Sequence, residues 1–368
     1  MDYLLDAVRS GWISGDGEFT HKCQALLERE LGVPRALLTT SCTDALEMAA
    51  LLLRLEPGDE VIFPSFTFVS TANAFVLHGA IPKFADVRPD TLNLDENAIE
   101  ALITPRTRAI VVVHYAGVGC EMDAIRSIAE RHGIVVIEDN AHGLFGRYKG
   151  KLLGTFGALA TQSFHETKNF TCGEGGALLI NEPQYLERAD VLRDKGTNRK
   201  RFFEGLVDKY TWVDKGSSFL PSDLLAAFLY AQFEQRAQIQ AARERAWNFY
   251  RDHLSSWARA EGIGLPVIPA HCDHPWHLFY LRLPTSIRRR DLLRHLADHG
   301  VSAVFHYQPL HLSKMGMQFG GAPGQCPVAE RAGEDLIRLP LFYGITELEQ
   351  ERVVAALHQY RGHRRATA

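Results

Sequence analysis

The chain has no apolar run approaching the roughly 20 residues that a bilayer-spanning helix needs. Its first residues, Met1-Asp-Tyr-Leu-Leu-Asp-Ala-Val-Arg, lack the basic start, apolar centre and small-residue cleavage site of a secretory leader. It also lacks an excess of positive charge. Forty Lys plus Arg stand against 44 Asp plus Glu, a net charge of −4, which argues against a nucleic-acid or anionic-membrane partner. Cysteine is sparse: Cys23, Cys42, Cys120, Cys172, Cys272 and Cys326 include no Cys-x-x-Cys pair, as expected of free thiols in a reducing cytoplasm. No internal repeat or low-complexity tract is present. The histidine-rich string His271-Cys-Asp-His-Pro-Trp-His277 matches no standard zinc spacing, so no metal is expected.

What is present is enough chain, 368 residues with 46% hydrophobic content, for two globular units. Between residues 37 and about 181, short β-rich runs (Leu37-Leu-Thr-Thr, Glu60-Val-Ile-Phe, Lys83-Phe-Ala-Asp-Val, Ala109-Ile-Val-Val-Val-His, Gly133-Ile-Val-Val-Ile-Glu, Ala177-Leu-Leu-Ile) alternate with helical stretches such as Asp44 to Leu55 and Met122 to His132. That alternation predicts an α/β fold with a mostly parallel sheet, whose ligands bind beyond the carboxyl ends of the strands. After Ser222 the spacing predicts a helical run from Asp223 to about Leu254, ended by Leu265-Pro-Val-Ile-Pro269. Leu278 to Leu283, Arg289 to His299 and Val301 to His306 then read as strand, helix and strand, with a last helix over Glu347 to Tyr360. The expected division is a large domain over residues 1–245 and a smaller α/β domain over 246–368, with Arg361-Gly-His-Arg-Arg as a solvated end.

Lys168 is the residue to explain. A lysine beside glycines is ordinarily a solvated loop residue. Here Ser163, a phosphate donor by chemistry, precedes it, and the Gly173-Glu-Gly-Gly176 turn that follows lets backbone approach closely. Asp139 ends an apolar strand, Ile134-Val-Val-Ile-Glu-Asp139; an acid there can simply cap the next helix. Together the two supply what a pyridoxal phosphate (PLP) enzyme needs, an amine to condense with the aldehyde and a carboxylate to hold the ring nitrogen. His142 is placed to reach the ring hydroxyl, or is a packed histidine. Thr40-Ser-Cys-Thr-Asp-Ala-Leu46 runs into a helix whose first N–H groups attract an anion, and Phe68 offers a ring to stack.

These motifs, with Pro64-Ser-Phe-Thr-Phe-Val-Ser-Thr-Ala-Asn73, Val113-His-Tyr-Ala-Gly117 and His165-Glu-Thr-Lys-Asn169, resemble the DegT/StrS-type nucleotide-sugar aminotransferases over nearly the whole chain. Lys195-Gly-Thr-Asn, Val207-Asp-Lys-Tyr-Thr-Trp212 and Val304-Phe-His-Tyr-Gln-Pro-Leu-His311 look like the dTDP-4-amino-4,6-dideoxygalactose transaminases among them. The resemblance implies the fold type I of aspartate aminotransferase, PLP as cofactor, a nucleotide-linked keto-sugar and L-glutamate as substrates, and a cytoplasmic homodimer with shared active sites. It makes Lys168 and Asp139 catalytic and Thr43, Asp44 and Ser163 phosphate ligands. Phe68 and His142 become ring contacts, and His165, His277, Tyr307 and His311 substrate contacts. Ser218 stands where the family has an asparagine that completes the partner's phosphate site. Family members also carry a further stretch ahead of the position of Met1. A related sugar 3-dehydratase has histidine in place of Lys168, which argues against that reading; a non-catalytic sugar-nucleotide binder is the other alternative.

Overall fold

The computed structural model describes residues 1–360; the basic tail from Arg361 lies outside the described residues. Helices α1 (Asp2–Arg9) and α2 (Glu18–Leu31) precede a seven-stranded sheet. Its strands are β1 (Arg35–Thr39), β2 (Glu60–Pro64), β3 (Ile81–Ala85), β4 (Thr107–Val113), β5 (Val135–Asp139), β6 (Leu159–Ser163) and β7 (Gly176–Ile180). Their order across the sheet is β1-β7-β6-β5-β4-β2-β3. Strands β3, β2, β4, β5 and β6 run parallel, and β7 is antiparallel to both neighbours. Helices α3 (Cys42–Leu52), α4 (Val69–Val76) and α5 (Met122–His132) are the crossovers after β1, β2 and β4.

Successive strand residues point to opposite faces, so each central strand feeds two cores. Val111 and Ile137 pack with α3 and α4, whereas Ile110, Val112 and Val136 pack with α5. The same alternation sends Asp139 to the face of Ile137 and Glu138 to the face of Val136.

The expected parallel α/β class is the one observed. The strand β6 is the main element the sequence reading lacks, because Leu-Ala-Thr-Gln-Ser is not an apolar run, yet four of its five residues are buried. The helical run after Ser222 is two helices, α6 (Asp223–Glu234) and α7 (Arg236–Glu261), because Gln235 leaves helical geometry (φ −90°, ψ 9°). The second ends at the left-handed Gly262, ahead of the proline stretch. The expected division at residues 245 and 246 falls inside α7, whose Ile239 packs with Phe233 and Phe164 while Trp247, Tyr250 and Leu254 pack with Phe279 and Leu281. Beyond it, β8 (Phe279–Arg282), β9 (Val304–Phe305) and β10 (Leu336–Leu339) form a sheet in the order β8-β10-β9. This sheet is packed by α8 (Arg289–Asp298) and α9 (Glu347–Gln359). Strand β9 is shorter than the predicted Val301 to His306 and its residues are exposed. No helix among the described residues is long and apolar enough to cross a membrane, and all six cysteines are free.

Glu138 pins the carboxyl edge of the sheet. It is fully buried and accepts hydrogen bonds from the backbone N–H of Gly154 (2.8 Å), Phe156 (2.7 Å) and Gly157 (2.7 Å). His114 Nδ1 accepts from Cys120 N, so its Nε2–H donates to Glu138 at 2.9 Å. Burial raises the Glu138 pKa, but the His114 and backbone donors outweigh it and hold the carboxyl below its ordinary value. Replacing Glu138 with Leu strands these donors, and urea unfolding should show a loss of about 3–5 kcal/mol. A change under about 1 kcal/mol would mean the donors find other partners.

Candidate active site

At the carboxyl edge, a cavity of about 440 Å³ opens between the parallel sheet and the smaller one. Lys168, Asp139, Thr43, Phe68, His142, Ser163, His165, His277 and Tyr307 all line it. Its walls come from distant parts of the chain: the start of α3, the start of α4, the ends of β5 and β6, and strand β10.

Asp139 is the last residue of β5 and is buried. Its Oδ2 accepts the hydroxyl of Thr71 at 2.7 Å and its Oδ1 accepts Ala141 N at 3.2 Å. Lys168 follows β6, and the chain turns back there because its N–H bonds His165 O at 2.9 Å. Loss of solvation around the amine lowers the Lys168 pKa below the usual lysine value. Arg338 pushes the same way, while Cys42 and Asp139 oppose it.

The anion seat is at the start of α3. Ser41 caps the helix by accepting Asp44 N at 3.0 Å, and Thr43 gives its hydroxyl to Ser70 at 2.8 Å. Gly176 is paired with both Thr39 and Ser163, and a Cβ there would lie 2.4 Å from Cys42 N and from Ser41. Only glycine lets the helix start come this close to Ser163. The helix N-terminus, Thr43, Ser70 and Ser163 thus face one corner of the cavity.

Three imidazoles form a layer over Asp139. His142 stacks on His277 (ring centroids 4.4 Å apart) and lies parallel to His306 at 6.3 Å, which stacks on Tyr307 at 4.1 Å. Burial drives all three pKa values down, with Lys168 and Arg338 adding to the effect, so the layer is neutral at pH 7. His277 Nδ1–H donates to Asn169 Oδ1 at 2.8 Å. His142 Nδ1 is buried with no protein partner.

Three expected contacts are not brought to this cavity. Asp44 gives its carboxylate to the Thr40 hydroxyl and its N–H to Ser41, so neither is left for a phosphate. His311 is fully buried elsewhere: its Nε2–H donates to Glu330 at 3.0 Å and its Nδ1 accepts the Ser65 hydroxyl at 2.5 Å. Ser218 is exposed, bridged to Asp194, and does not line the cavity of its own chain. His271, the first histidine of the suspect string, bonds Glu121 instead.

The sequence reading missed Arg338, His306, Thr71 and Ser70. Arg338 is the most consequential. It sits in β10, paired with Tyr280 and Val304; its Nε is buried without a partner, and burial lowers its pKa. The available signal was a lone charge in the apolar run Leu336-Ile-Arg-Leu-Pro340.

The profile of the DegT/DnrJ/EryC1/StrS aminotransferase family matches residues 1–358. The chain belongs to that family. It is 33% identical to the GDP-perosamine synthase of Caulobacter vibrioides over 360 residues, covering 97% of this chain and 94% of that one. The aminotransferase TlmJ of Streptoalloteichus hindustanus is similar in structure, with a TM-score of 0.88 and 30% identity over 97% and 94% of the two chains. So is the PLP form of a putative sugar aminotransferase of Streptococcus pneumoniae (TM-score 0.89, 25% identity, 96% and 93%). The chain is therefore a PLP-dependent aminotransferase of fold type I.

The cavity suits that cofactor: a helix start for its phosphate, a carboxylate across from an amine, and the unpartnered Nδ1 of His142 for its hydroxyl. In the cofactor-free protein, an acylating reagent read by mass spectrometry should modify Lys168 with a pH midpoint below that of surface lysines. Arg338→Met removes a charge that disfavours the ammonium and should raise that midpoint; Asp139→Asn removes one that favours it and should lower it. A midpoint equal to that of surface lysines in all three proteins would contradict the desolvation.

Proposed function

We propose that the protein transfers the amino group of L-glutamate to carbon 4 of a nucleotide-linked 4-keto-6-deoxyhexose. The first candidate is dTDP-4-keto-6-deoxy-D-glucose, giving dTDP-4-amino-4,6-dideoxy-D-galactose. The observation that carries the transaminase chemistry is the placement of Lys168 and Asp139 on the walls of one cavity that also holds an anion seat. The sugar class is supported by the likeness to a GDP-perosamine synthase, and the choice of dTDP and carbon 4 by the sequence motifs around Lys168 and Tyr307.

The cofactor, when bound, supplies an aldehyde that takes up an amino group and a ring that stores the electrons of a broken C–H bond. Thr43, Ser70, Ser163 and the first N–H groups of α3 hold the phosphate. Asp139 holds the ring nitrogen, His142 Nδ1 accepts from the ring hydroxyl, and Phe68, 57% exposed at the cavity rim, covers the ring face. Lys168 Nζ, its pKa lowered, takes the proton from the α-carbon of the donor and returns it at the end of the transfer, so one amine serves as both base and acid. Arg338, a guanidinium with no acid partner among the described ion pairs, seats a carboxylate of the amino donor. His165 at the rim, His277 and Tyr307 contact the sugar.

The working unit is proposed to be a cytoplasmic homodimer in which Ser218 reaches the phosphate of the partner's site. Exposed apolar side chains near it in sequence support this, including Trp212 at 78% exposure.

The test is direct. Protein loaded with PLP, L-glutamate and dTDP-4-keto-6-deoxy-D-glucose should release 2-oxoglutarate and yield an amino sugar identified by NMR, with a GDP-linked 4-keto sugar as the comparison. Lys168→Ala should lower turnover at least about 10²–10⁴-fold. Turnover unchanged in that variant would reject the role of Lys168, and a preference for the GDP-linked sugar would reject the dTDP assignment alone.

A further inference from the structure

Asp139 is fed by a one-way chain of hydroxyls. Thr71 Oγ1 lies 2.7 Å from Asp139 Oδ2 and 2.9 Å from Thr67 Oγ1. A carboxylate only accepts, so the single Thr71 proton must go to Asp139. The Thr71 oxygen then accepts, and the proton between the two threonines must come from Thr67. All three residues are buried, with Thr71 at 0%, Thr67 at 2% and Asp139 at 5% exposure, so water competes for none of these bonds.

The arrangement departs from what a helix imposes. A threonine inside a helix ordinarily gives its hydroxyl to a carbonyl one turn back. Thr71 lies in the first turn of α4, yet its proton leaves the helix for a strand end 68 residues away in sequence. Cooperative polarisation along such a chain strengthens the final O–H donation. With Ala141 N on the other oxygen, both oxygens of Asp139 have a fixed donor, which sets the plane of the carboxyl group and favours its charged form.

We propose that Thr71 and, through it, Thr67 are positioning residues that orient Asp139 and hold it as an anion toward the cavity, and so set the affinity for the cofactor's ring. This rests on the reading of Asp139 as the partner of the ring nitrogen. Neither threonine touches the reacting atoms; both act through Asp139.

The experiment uses PLP itself, titrated into cofactor-free full-length protein with fluorescence quenching and visible absorbance as readouts. Thr71→Val, which keeps shape and removes the hydroxyl, should weaken PLP binding about tenfold, the size of one charge-assisted hydrogen bond. Thr71→Ser should bind as wild type. Thr67→Val, which leaves the last link but removes its donor, should cost about threefold. In an Asp139→Ala background, Thr71→Val should have no further effect, since the two groups act as one unit. Thermal unfolding by circular dichroism checks each fold; should Thr71→Val not fold, Thr67→Val decides, and wild-type affinity there overturns the relay. An equal loss from Thr71→Val with and without Asp139 would make the hydroxyl merely structural and overturn the proposal. Wild-type affinity in Thr71→Val beside weakened Asp139→Ala overturns the relay alone, whereas wild-type affinity in Asp139→Ala overturns the role of Asp139 and the relay with it.

Discussion

The site hangs from one buried carboxylate that takes no part in the chemistry. Glu138 gathers His114 and three backbone N–H groups from residues 154–157, which form the turn between β5 and β6. Pinning that turn fixes where β6 enters the sheet, and β6 is the strand that ends in Ser163 and delivers Lys168. Because strand side chains alternate, burying Glu138 toward α5 obliges Asp139 to face α3 and α4. The partner of the ring nitrogen and the lysine are thus positioned by the same anchor on the far side of the sheet. Breaking it would cost stability and would also let the two groups move independently.

Charge explains the rest of the cavity. Lys168 and Arg338 are cations placed where burial lowers both pKa values, and the nearby histidines respond by staying neutral. Asp139 is the one carboxylate of the large sheet aimed into that space, with Glu174 paired to His165 at the rim. A site built this way gains most from ligands carrying phosphate and carboxylate groups, which relieve the desolvated cations. A cofactor with a phosphate, a donor with two carboxylates and a sugar carrying a diphosphate all satisfy that requirement.

Much of this was legible in the sequence, and the parts that were not share a cause. The parallel strands announced themselves as Val- and Ile-rich runs, and Lys168 became more than a loop lysine once Asp139 stood at a neighbouring strand end. Strand β6 escaped notice because Thr161, Gln162 and Ser163 are polar, although its neighbours on both sides bury them. Asp44 and His311 were drawn into the site by the motifs around them. Adjacency in a motif does not say which way a side chain turns: one turned back to Thr40, the other into the junction between Ser65 and Glu330. Arg338 failed in the opposite sense, since its motif names no chemistry and only the pairing of β10 with β8 and β9 carries it to the cavity.

That last placement depends on a second buried group far from the cofactor. Lys168 and Asp139 belong to the large sheet and Arg338 and Tyr307 to the smaller unit, so the cavity has its shape only if the two units keep their relation. Arg243, on the helix α7 that runs from one core to the other, donates to the carbonyls of Trp276, His277 and Leu341. Those carbonyls flank β8 at its start and β10 at its end, the two strands that carry Arg338 toward Lys168. Burial lowers the pKa of this guanidinium to about 10, and its recorded partners are all carbonyls. A charge satisfied only by carbonyl dipoles holds its geometry tightly, because any displacement leaves it without solvent or counter-ion. The distance between the catalytic lysine and the carboxylate-binding arginine is therefore set by α7 and Arg243 as much as by either sheet.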